Sequence, residues 1–311
     1  MDKARPLLSV VMPAYNEEAN LPSLVERMEK TLASMPVDWE WILIDDHSQD
    51  ETFSAIAALS KREPRVRGIR FSRNFGPHRA VLCGILAAKG DCIAVMASDL
   101  QDPPELLPRL FAEWNKGHQV VWAARAHREG VKASTIILSR VYWFIMRYFV
   151  GFMETPPNGA DCLLVDRKIA AALRQFPERN TSILALITWM GFSQTTITYD
   201  KQARTRGKSG WNLEKKLKLA LDSVLAFSYR PVRVILGAGA FMSFFGLAAA
   251  LVAAAGGIPH RGLLFTAATI VAVGGVEMIA IGIAGEYLWR AFDEARRRPL
   301  FIIERETGEP S

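Results

Sequence analysis

Cysteine is scarce in this chain, which has only Cys83, Cys92 and Cys162 among 311 residues. An odd number of cysteines without metal-site spacing favours neither a disulfide framework nor a zinc site. Free cysteine is one of the most buried residue types. We therefore interpret all three as small core residues.

The sequence also lacks internal repeats, low-complexity tracts and a signal peptide. Residues 1–11 contain no apolar stretch long enough to direct export. Nothing in this segment would carry a large domain across a membrane. We therefore expect the bulk of the protein to stay in the cytoplasm.

Two long apolar runs stand near the C-terminal end, at residues 232–257 and 263–287. Each reaches the ~20 apolar residues that a helix needs to cross ~30 Å of hydrocarbon. The short segment from Gly256 to Gly262 connects them, which predicts a transmembrane hairpin within residues 231–289. The hairpin would return the chain to the side of the membrane that it left.

Positive charge predicts which side that is. Lysine and arginine flank the two runs, whereas the connection between them offers only Arg261 as a fixed cation. The flanking cations are Lys215, Lys216, Lys218, Arg230, Arg233, Arg290, Arg296, Arg297 and Arg298. We therefore expect both termini in the cytoplasm, with residues 290–311 as a cytoplasmic tail. The net charge of +6 suits an anionic membrane or a phosphorylated substrate better than nucleic acid.

Residues 1–210 alternate short apolar runs with segments of helix length, which predicts an α/β domain with a mostly parallel sheet flanked by helices. The 50% hydrophobic content is sufficient for one such core and for apolar segments in lipid. The predicted strands are residues 7–12, 39–44, 66–71, 92–97 and 119–123. The predicted helices begin near Ala19, Asp50, Pro77 and Pro103.

Polar residues cluster directly after four of these strands. The clusters are Pro13, Tyr15, Asn16 and Glu17; Asp45, Asp46 and Ser48; Arg73 and Asn74; and Ser98, Asp99, Gln101 and Asp102. Any single cluster could consist of ordinary turn formers and helix caps. Ligands of parallel α/β sheets bind beyond the carboxyl ends of the strands, so four such clusters together predict a substrate site.

Several segments of the chain carry a family resemblance. They are VVMPAYNEEANL, WILIDDHSQDET, FSRNFGPHRA, SDLQDPPELL, ERNTSILALITWMGF, RTRGKSGW, AFSYRPVR and GEYLWRAFDEARRRPLFII. Together they resemble the family 2 glycosyltransferases of the GT-A fold, in particular the polyprenyl-phosphate sugar transferases. That group includes bacterial bactoprenol glucosyltransferases and dolichol-phosphate mannose synthases.

The resemblance implies a reaction, a location and a cofactor. A sugar would pass from a nucleoside diphosphate sugar, with UDP-glucose favoured, to polyprenyl (undecaprenyl) phosphate, with inversion at the anomeric carbon. The reaction would take place at the cytoplasmic face of the bacterial plasma membrane and supply cell-envelope glycosylation. It would depend on Mg²⁺ or Mn²⁺.

Two residues after the fourth strand resemble the family's metal ligands. Asp99 and Gln101 offer hard oxygen donors, which suit a cation that neutralises the leaving diphosphate. The family's motif usually begins with a further aspartate, and Ala97 stands there instead. This departure indicates weaker or different metal use, and it leaves open a non-catalytic membrane scaffold.

The nucleotide sugar is expected at the first two strand ends. By resemblance, Tyr15, Glu17 and Asp46 match positions around the nucleotide. The remaining residues assigned to this predicted donor site are Pro13, Asn16, Asp45 and Ser98.

The acceptor needs cations more than a base, because a phosphate monoester is largely a dianion at neutral pH and is itself a nucleophile. Arg125 and Arg140 resemble the family's acceptor-phosphate arginines. The mobile basic loop of the family is matched by Arg204, Lys208 and Ser209. Any one of these arginines could instead be a solvated surface charge. Relatives often carry arginine and lysine where this chain has Leu163 and Gly210.

Asp161 matches an acidic position beside the family's reacting centre. It would orient the acceptor or a sugar hydroxyl, or act as a base. The alternative is a buried carboxylate bonded to backbone amides.

Two amphipathic segments are predicted beside the membrane, at residues 134–152 and 211–230. Each could also be an ordinary helix packed on the sheet. Within the second apolar run, Glu277 is an unusual carboxylate, and nearby glycines would let helices approach closely. These features leave a homo-oligomer open.

Other donors and another enzyme class remain as alternatives. GDP-mannose or another UDP-sugar could replace UDP-glucose, because specificity depends on pocket shape. A processive polysaccharide synthase would need more membrane spans. It would also usually need a Gln-x-x-Arg-Trp motif, which this sequence lacks.

Overall fold

The computed structural model describes residues 5–125, 162–176, 182–200 and 261–307, with isolated helical positions between 235 and 248. Its strands are β1 (Leu7–Ala14), β2 (Asp38–Asp45), β3 (Val66–Phe71), β4 (Cys92–Val95), β5 (Val120–Arg125), β6 (Cys162–Asp166), β7 (Gln194–Tyr199) and β8 (Ile303–Thr307). Its helices are α1 (Leu21–Ala33), α2 (Thr52–Arg62), α3 (Pro77–Ala87), α4 (Leu107–Asn115), α5 (Arg167–Leu173), α6 (Ile183–Trp189) and α7 (Arg261–Ala295). A 3₁₀ turn, Pro104–Leu106, leads into α4.

All eight strands form one sheet in the order β7-β5-β6-β4-β1-β2-β3-β8. The pairs β1–β2, β2–β3, β1–β4 and β5–β7 are parallel. In contrast, β6 is antiparallel to both β4 and β5, and β8 is antiparallel to β3. Four of the seven strand pairings are therefore parallel, in line with the predicted mostly parallel sheet, whereas β6 and β8, which the sequence did not predict as strands, make the sheet mixed. The sheet is mixed because β6 enters at the edge where β5 ends.

The core lies on both faces of the sheet, because successive strand residues point in opposite directions. Val10 and Met12 of β1 pack in the cluster that includes α1 and α4, whereas Val11 packs on the opposite face beneath α3. Gly84 allows α3 to approach closely, since a Cβ there would lie 2.1 Å from a methyl carbon of Val11. This packing fixes the end of β1, from which the first polar loop emerges.

The three cysteines lie in this core, as predicted. Cys83, Cys92 and Cys162 are all buried. Burial is the main reason why the pKa of the Cys83 thiol rises to about 12. Burial also raises the pKa of Cys92 above its usual range.

The second apolar run lies within α7, a single helix of 35 residues. Its large apolar side chains are exposed, among them Leu263, Ile270 and Met278. In the part of the chain that the structure describes, one helical stretch, Ala272–Ala295, is long and apolar enough to cross a membrane. A Cβ on Gly246, in the first run, would lie 3.6 Å from the Thr269 methyl group of α7.

Most of the first apolar run and the predicted helices at 134–152 and 211–230 lie outside the described residues. The expected hairpin and interfacial helices therefore stay predictions. By contrast, the described residues include the second run and the segment that leads from it back into the sheet.

After α7 the chain returns to the sheet. The Phe301 ring stacks on Phe71 of β3 with 5.2 Å between centroids, and the Ser72 amide donates to the carbonyl of Ile302 at 3.0 Å. Strand β8 then pairs along β3. Residues that the sequence indicated only as a tail thus form the outer strand of the domain.

Candidate active site

The carboxyl ends of β4, β1 and β2 lie side by side, and short hydrogen bonds join the loops that follow them. The amide of Asp46 donates to the carbonyl of Ala14 at 2.9 Å. The hydroxyl of Ser98 donates to the carbonyl of Pro13 at 2.8 Å. Three of the four polar clusters predicted from the sequence therefore meet at one edge of the sheet.

The loop after β1 is held from the β2 side. Asn16 has a positive φ of 56°, and its amide donates to the Ser48 hydroxyl at 2.9 Å. Its side-chain oxygen accepts from the amide of Gln49 at 2.8 Å, and the Glu17 amide donates to Thr52 Oγ1 at 2.8 Å. The adjacent Tyr15 is 45% exposed. An exposed tyrosine on a fixed loop provides a flat surface for a nucleobase.

Asp45 is fully buried, and both of its oxygens are engaged. The Ser48 amide donates to Oδ1 at 3.0 Å, and Arg70 Nη1 donates to Oδ2 at 2.6 Å. A buried carboxylate is tolerated when it is paired and hydrogen-bonded in this way. The geometry thus makes Asp45 a brace for the loop after β2.

Asp46 brings the loop after β3 into the site. Its carboxylate accepts hydrogen bonds from the amides of Phe75 at 2.6 Å and Gly76 at 2.8 Å. Gly76 has a φ of 91°, a conformation that favours glycine, and Pro77 then begins α3. Burial raises the pKa of Asp46 above 3.8, although the two amide hydrogen bonds act in the opposite direction. The third strand-end cluster, with the exposed Arg73 and Asn74, is anchored through this turn.

The loop after β4 contains the two predicted metal ligands. The Asp99 side chain is largely buried, and its Oδ1 accepts from the amide of Gln101 at 3.1 Å. Ala97, which replaces the family's first aspartate, is half-buried. In contrast, Asp102 accepts a hydrogen bond from the hydroxyl of Tyr199 on β7, which ties the loop to the sheet.

These donors fit a divalent cation that the substrate completes. Asp99 and Gln101 provide a carboxylate and an amide oxygen, and Mg²⁺ often binds to one or two protein ligands together with phosphate oxygens and water. Among the described residues, no group of three or more His, Cys, Asp or Glu side chains could hold a metal alone. The donor set therefore suits a metal–diphosphate complex and not an all-protein cage.

The predicted acceptor residues are placed only in part. Arg125 is the last residue of β5, which runs in the same direction as β4 with β6 between them, so its backbone reaches the same edge of the sheet. The side chain of Arg125 lies outside the described part of the chain. So do Arg140, Asp161, Arg204, Lys208 and Ser209.

Sequence reasoning missed Arg70, which pairs with Asp45 inside the site. Arg70 lies in β3, and the sequence offers one signal, a second arginine in an otherwise apolar strand. Its partner Glu304 follows α7 and is 234 residues away in the chain. Nothing local in the sequence connects the two.

The profile of glycosyl transferase family 2 matches residues 9–174. This chain belongs to that family. It is 33% identical to an uncharacterised glycosyltransferase of Synechocystis, over 95% of this chain and 94% of the relative. It is 31% identical to the bactoprenol glucosyl transferase of Shigella phage SfV, over 96% of this chain and 98% of the relative.

A solved structure of the same fold is glucosyl-3-phosphoglycerate synthase from Mycobacterium tuberculosis, in complex with Mg²⁺ and uridine diphosphate. The TM-score is 0.52 at 19% identity, over 71% of this chain and 77% of that one. This likeness, together with the family match, confirms the predicted α/β fold of the GT-A type. The protein is a family 2 glycosyltransferase built on a mixed sheet with flanking helices.

Proposed function

We propose that this glycosyltransferase transfers a sugar, with UDP-glucose as the leading donor, to polyprenyl (undecaprenyl) phosphate at the cytoplasmic face of a bacterial plasma membrane. One observation carries the proposal. The strand-end site and an apolar helix of membrane length belong to one structural unit, because the chain leaves α7 and re-enters the same sheet as β8.

The relatives support this donor and this acceptor. The Shigella phage relative is named a bactoprenol glucosyl transferase and aligns with nearly the whole chain. The Mycobacterium tuberculosis structure of the same fold holds uridine diphosphate. In the present chain, the exposed Tyr15 would stack on the base, with Pro13, Asn16 and Glu17 beside it. Asp45, Asp46 and Ser98 would shape the pocket beneath.

Asp99 and Gln101 would hold Mg²⁺ or Mn²⁺. When bound, the cation supplies positive charge to the diphosphate leaving group. The amide of Gln101 holds the Asp99 carboxylate in place, so this ligand is oriented before the substrate arrives. Because Ala97 removes one acidic group, we expect metal binding to be weaker than in relatives with two aspartates.

The acceptor side of the proposal rests on charge. Arg125 and Arg140 would hold the lipid phosphate, and Arg204, Lys208 and Ser209 would close over it. Arginine suits this role because its planar fork can bind two phosphate oxygens at once. An oxygen of the phosphate dianion would bond to the anomeric carbon as the bond from that carbon to the nucleoside diphosphate breaks, which inverts the configuration. Asp161 would orient the acceptor or a sugar hydroxyl.

The membrane part of the proposal extends beyond the described residues. The catalytic domain, residues 1–210, would lie on the cytoplasmic side with both termini, and residues 290–311 would return to it after the membrane. Segments 134–152 and 211–230 would lie in the interface, and 232–257 and 263–287 would form the two spans within 231–289. The position of Gly246 beside Thr269 is consistent with paired spans.

The test is a transfer assay on membranes that contain the protein. Undecaprenyl phosphate and radiolabelled UDP-glucose, another UDP-sugar or GDP-mannose are added, and the lipids are then extracted. We expect label in the lipid phase from UDP-glucose and none with the Asp99→Asn variant. Lipid label from GDP-mannose alone would show that the donor is GDP-mannose and not UDP-glucose. If the folded protein gave no lipid label from any of these sugars, the result would favour the alternative of a non-catalytic membrane scaffold.

A further inference from the structure

Arg70 joins the candidate donor site to the segment that follows the membrane helix. Its guanidinium donates to Asp45 Oδ2 at 2.6 Å, to the carbonyl of Ser48 at 3.1 Å and to Glu304 Oε2 at 3.2 Å. The Arg70 side chain is 18% exposed and that of Asp45 is fully buried. The first two acceptors belong to the loop after β2, and the third belongs to β8.

A bulge directs Glu304 at Arg70. In the β3–β8 ladder, Arg70 faces Arg305 and Phe71 faces Ile303, so Glu304 is an extra residue without a partner in register. Bulges of this kind turn a side chain away from its regular direction. The Glu304 carboxylate also lies 3.8 Å from His47 Nδ1, in the same loop after β2.

The contacts continue from Arg70 to the loop after β1. Asp45 Oδ1 accepts from the Ser48 amide at 3.0 Å, and the Ser48 hydroxyl accepts from the Asn16 amide at 2.9 Å. Glu304 is thus connected to the backbone amide of Asn16, next to Tyr15, by direct hydrogen bonds. The connecting residues are Arg70, Asp45 and Ser48. The contacts of Asp45 and Ser48 are buried or partly buried, whereas the Arg70–Glu304 contact at the start of the series is exposed.

The shape of arginine explains why Glu304 matters. The guanidinium is planar and rigid, so a carboxylate held at Nε fixes the direction of the two terminal nitrogens. Those nitrogens then meet Asp45 and the Ser48 carbonyl together. Without Glu304, Arg70 keeps its buried partner Asp45 but is free to rotate away from the Ser48 carbonyl.

We propose that Glu304 and Arg70 are positioning residues, through which the segment after the membrane helix sets the geometry of the nucleotide-binding loops. This inference rests on the proposed function. It adds that the C-terminal strand takes part in donor binding without touching the donor. Anchoring in the membrane and affinity for the nucleotide are then linked through one side-chain pair.

The test compares two glutamates of β8 in the full chain, reconstituted in lipid nanodiscs. Glu304→Gln removes the charge beside Arg70, whereas Glu306→Gln removes a charge 3.9 Å from Arg67, farther from the site. We expect Glu304→Gln to raise the Kd for uridine diphosphate and the KM for the nucleotide sugar about three- to fivefold, the upper end for an exposed ion pair. The kcat should change less. Glu306→Gln should leave all three close to wild type.

A second variant tests whether Glu304 acts through Arg70. Arg70→Lys keeps the charge but cannot hold three acceptors in one plane. If the two residues act together, Glu304→Gln should have little further effect on the Kd in the Arg70→Lys background. Thermal unfolding of each variant identifies any general loss of fold, and the comparison of Glu304→Gln with Glu306→Gln decides the matter if Arg70→Lys does not fold.

The outcomes separate this inference from the proposed function. Equal nucleotide affinity in the two glutamine variants, or independent effects in the double variant, would overturn the inference alone. A folded wild-type protein that binds no uridine diphosphate and labels no lipid would overturn the proposed function and this inference with it.

Discussion

The hydroxyl of Ser98 donates a hydrogen bond of 2.8 Å to the carbonyl oxygen of Pro13. Ser98 immediately precedes the candidate metal ligand Asp99, and Pro13 precedes Tyr15 at the end of β1. The loop proposed to hold the cation and the loop proposed to hold the nucleotide are therefore joined directly.

Replacement of Ser98 tests this connection. Ser98→Ala should lower the free energy of unfolding by about 1 kcal/mol, because the partly buried carbonyl of Pro13 loses this donor. It should also weaken Mn²⁺ binding in the presence of the nucleotide. The matched control is Ser34→Ala, whose hydroxyl donates to Thr31 at the end of α1. Transfer by that control should stay unchanged, and equal loss of Mn²⁺ binding in both variants would contradict the connection.

Replacement of the metal ligands should remove activity without unfolding the protein. Asp99→Ala should lower kcat at least ~100-fold, because the leaving diphosphate loses its main electrostatic stabilisation. Gln101→Ala should lower it less. Transfer to lipid and a Mn²⁺ titration measure both effects.

A carboxylate at the other end of β4 provides the control for this prediction. Asp91 accepts from the amide of Leu7 at 2.9 Å, and Asp91→Asn keeps an acceptor there. Activity close to wild type is expected for Asp91→Asn. Near-normal turnover by Asp99→Ala would show that Asp99 is not a metal ligand. Ala97→Asp should stay active and bind Mn²⁺ more tightly.

The buried Asp46 should leave a signature in the pH dependence of stability. Burial raises its pKa above 3.8 in the folded protein, so the folded state holds the proton more tightly than the unfolded chain. The free energy of unfolding should therefore fall as the pH rises from below 3.8 through the raised pKa, and then level off. Asp46→Asn should lose this component, which chemical denaturation across acidic pH measures as a difference from wild type.

Glu63 gives a control of opposite sign. The hydrogen bond from Arg65 is the main cause that lowers the pKa of Glu63. Its contribution should be present above the unfolded pKa and lost as the pH falls through the lowered value. If Asp46→Asn and wild type differed by a constant amount over the whole range, Asp46 would not be desolvated as the structure describes.

The acceptor arginines should separate lipid binding from donor binding. Arg125→Ala and Arg140→Ala should each cost on the order of 2 kcal/mol, as for a charge-assisted hydrogen bond. The loss should appear in use of undecaprenyl phosphate, while calorimetry should find donor affinity unchanged. Arg109→Ala is the control, because that guanidinium donates to the Thr198 carbonyl. A variant that lost donor affinity and kept its use of lipid would belong to the donor side.

The topology can be tested with introduced cysteines, because the native ones should not react. All three native thiols are buried, and burial raises the pKa of Cys83 to about 12. Since the thiolate is the reactive form, the protein without an introduced cysteine should be labelled very little by a membrane-impermeant maleimide. A cysteine at His260 should be labelled from outside, and cysteines at Gln49 or Glu309 should not. Outside labelling at Gln49 would contradict the cytoplasmic placement.

The sequence predicted the first five strands because each carries its own apolar β pattern. Val66–Phe71 was predicted with the observed bounds, and the first helices begin within two residues or a short turn of the predicted starts. β7 was missed although its Thr, Ile and Tyr residues are typical of strands. β8 could not be found locally, because Ile303–Thr307 is mostly charged and is a strand only through its ladder with β3.

The site was predictable in position but not in its internal roles. Polar loops after parallel strands meet at one edge by a general rule of α/β sheets, and the structure confirms that they do. That Asp45 and Asp46 brace neighbouring loops depends on distances that only the folded chain sets. A truncation before the apolar runs would also remove Glu304 and β8. It is therefore not a neutral test of the catalytic domain.

The position of β8 has a consequence for biogenesis. Gly68 and Thr307 pair although they are 239 residues apart, so the ribosome must finish the apolar helix before the outer strand of the sheet is made. Until then β3 exposes an open row of backbone donors and acceptors, which is a template for wrong pairing with other chains. Completion of the sheet thus follows synthesis of the apolar helix α7. A nascent chain stalled before β8 would be prone to aggregate at the β3 edge.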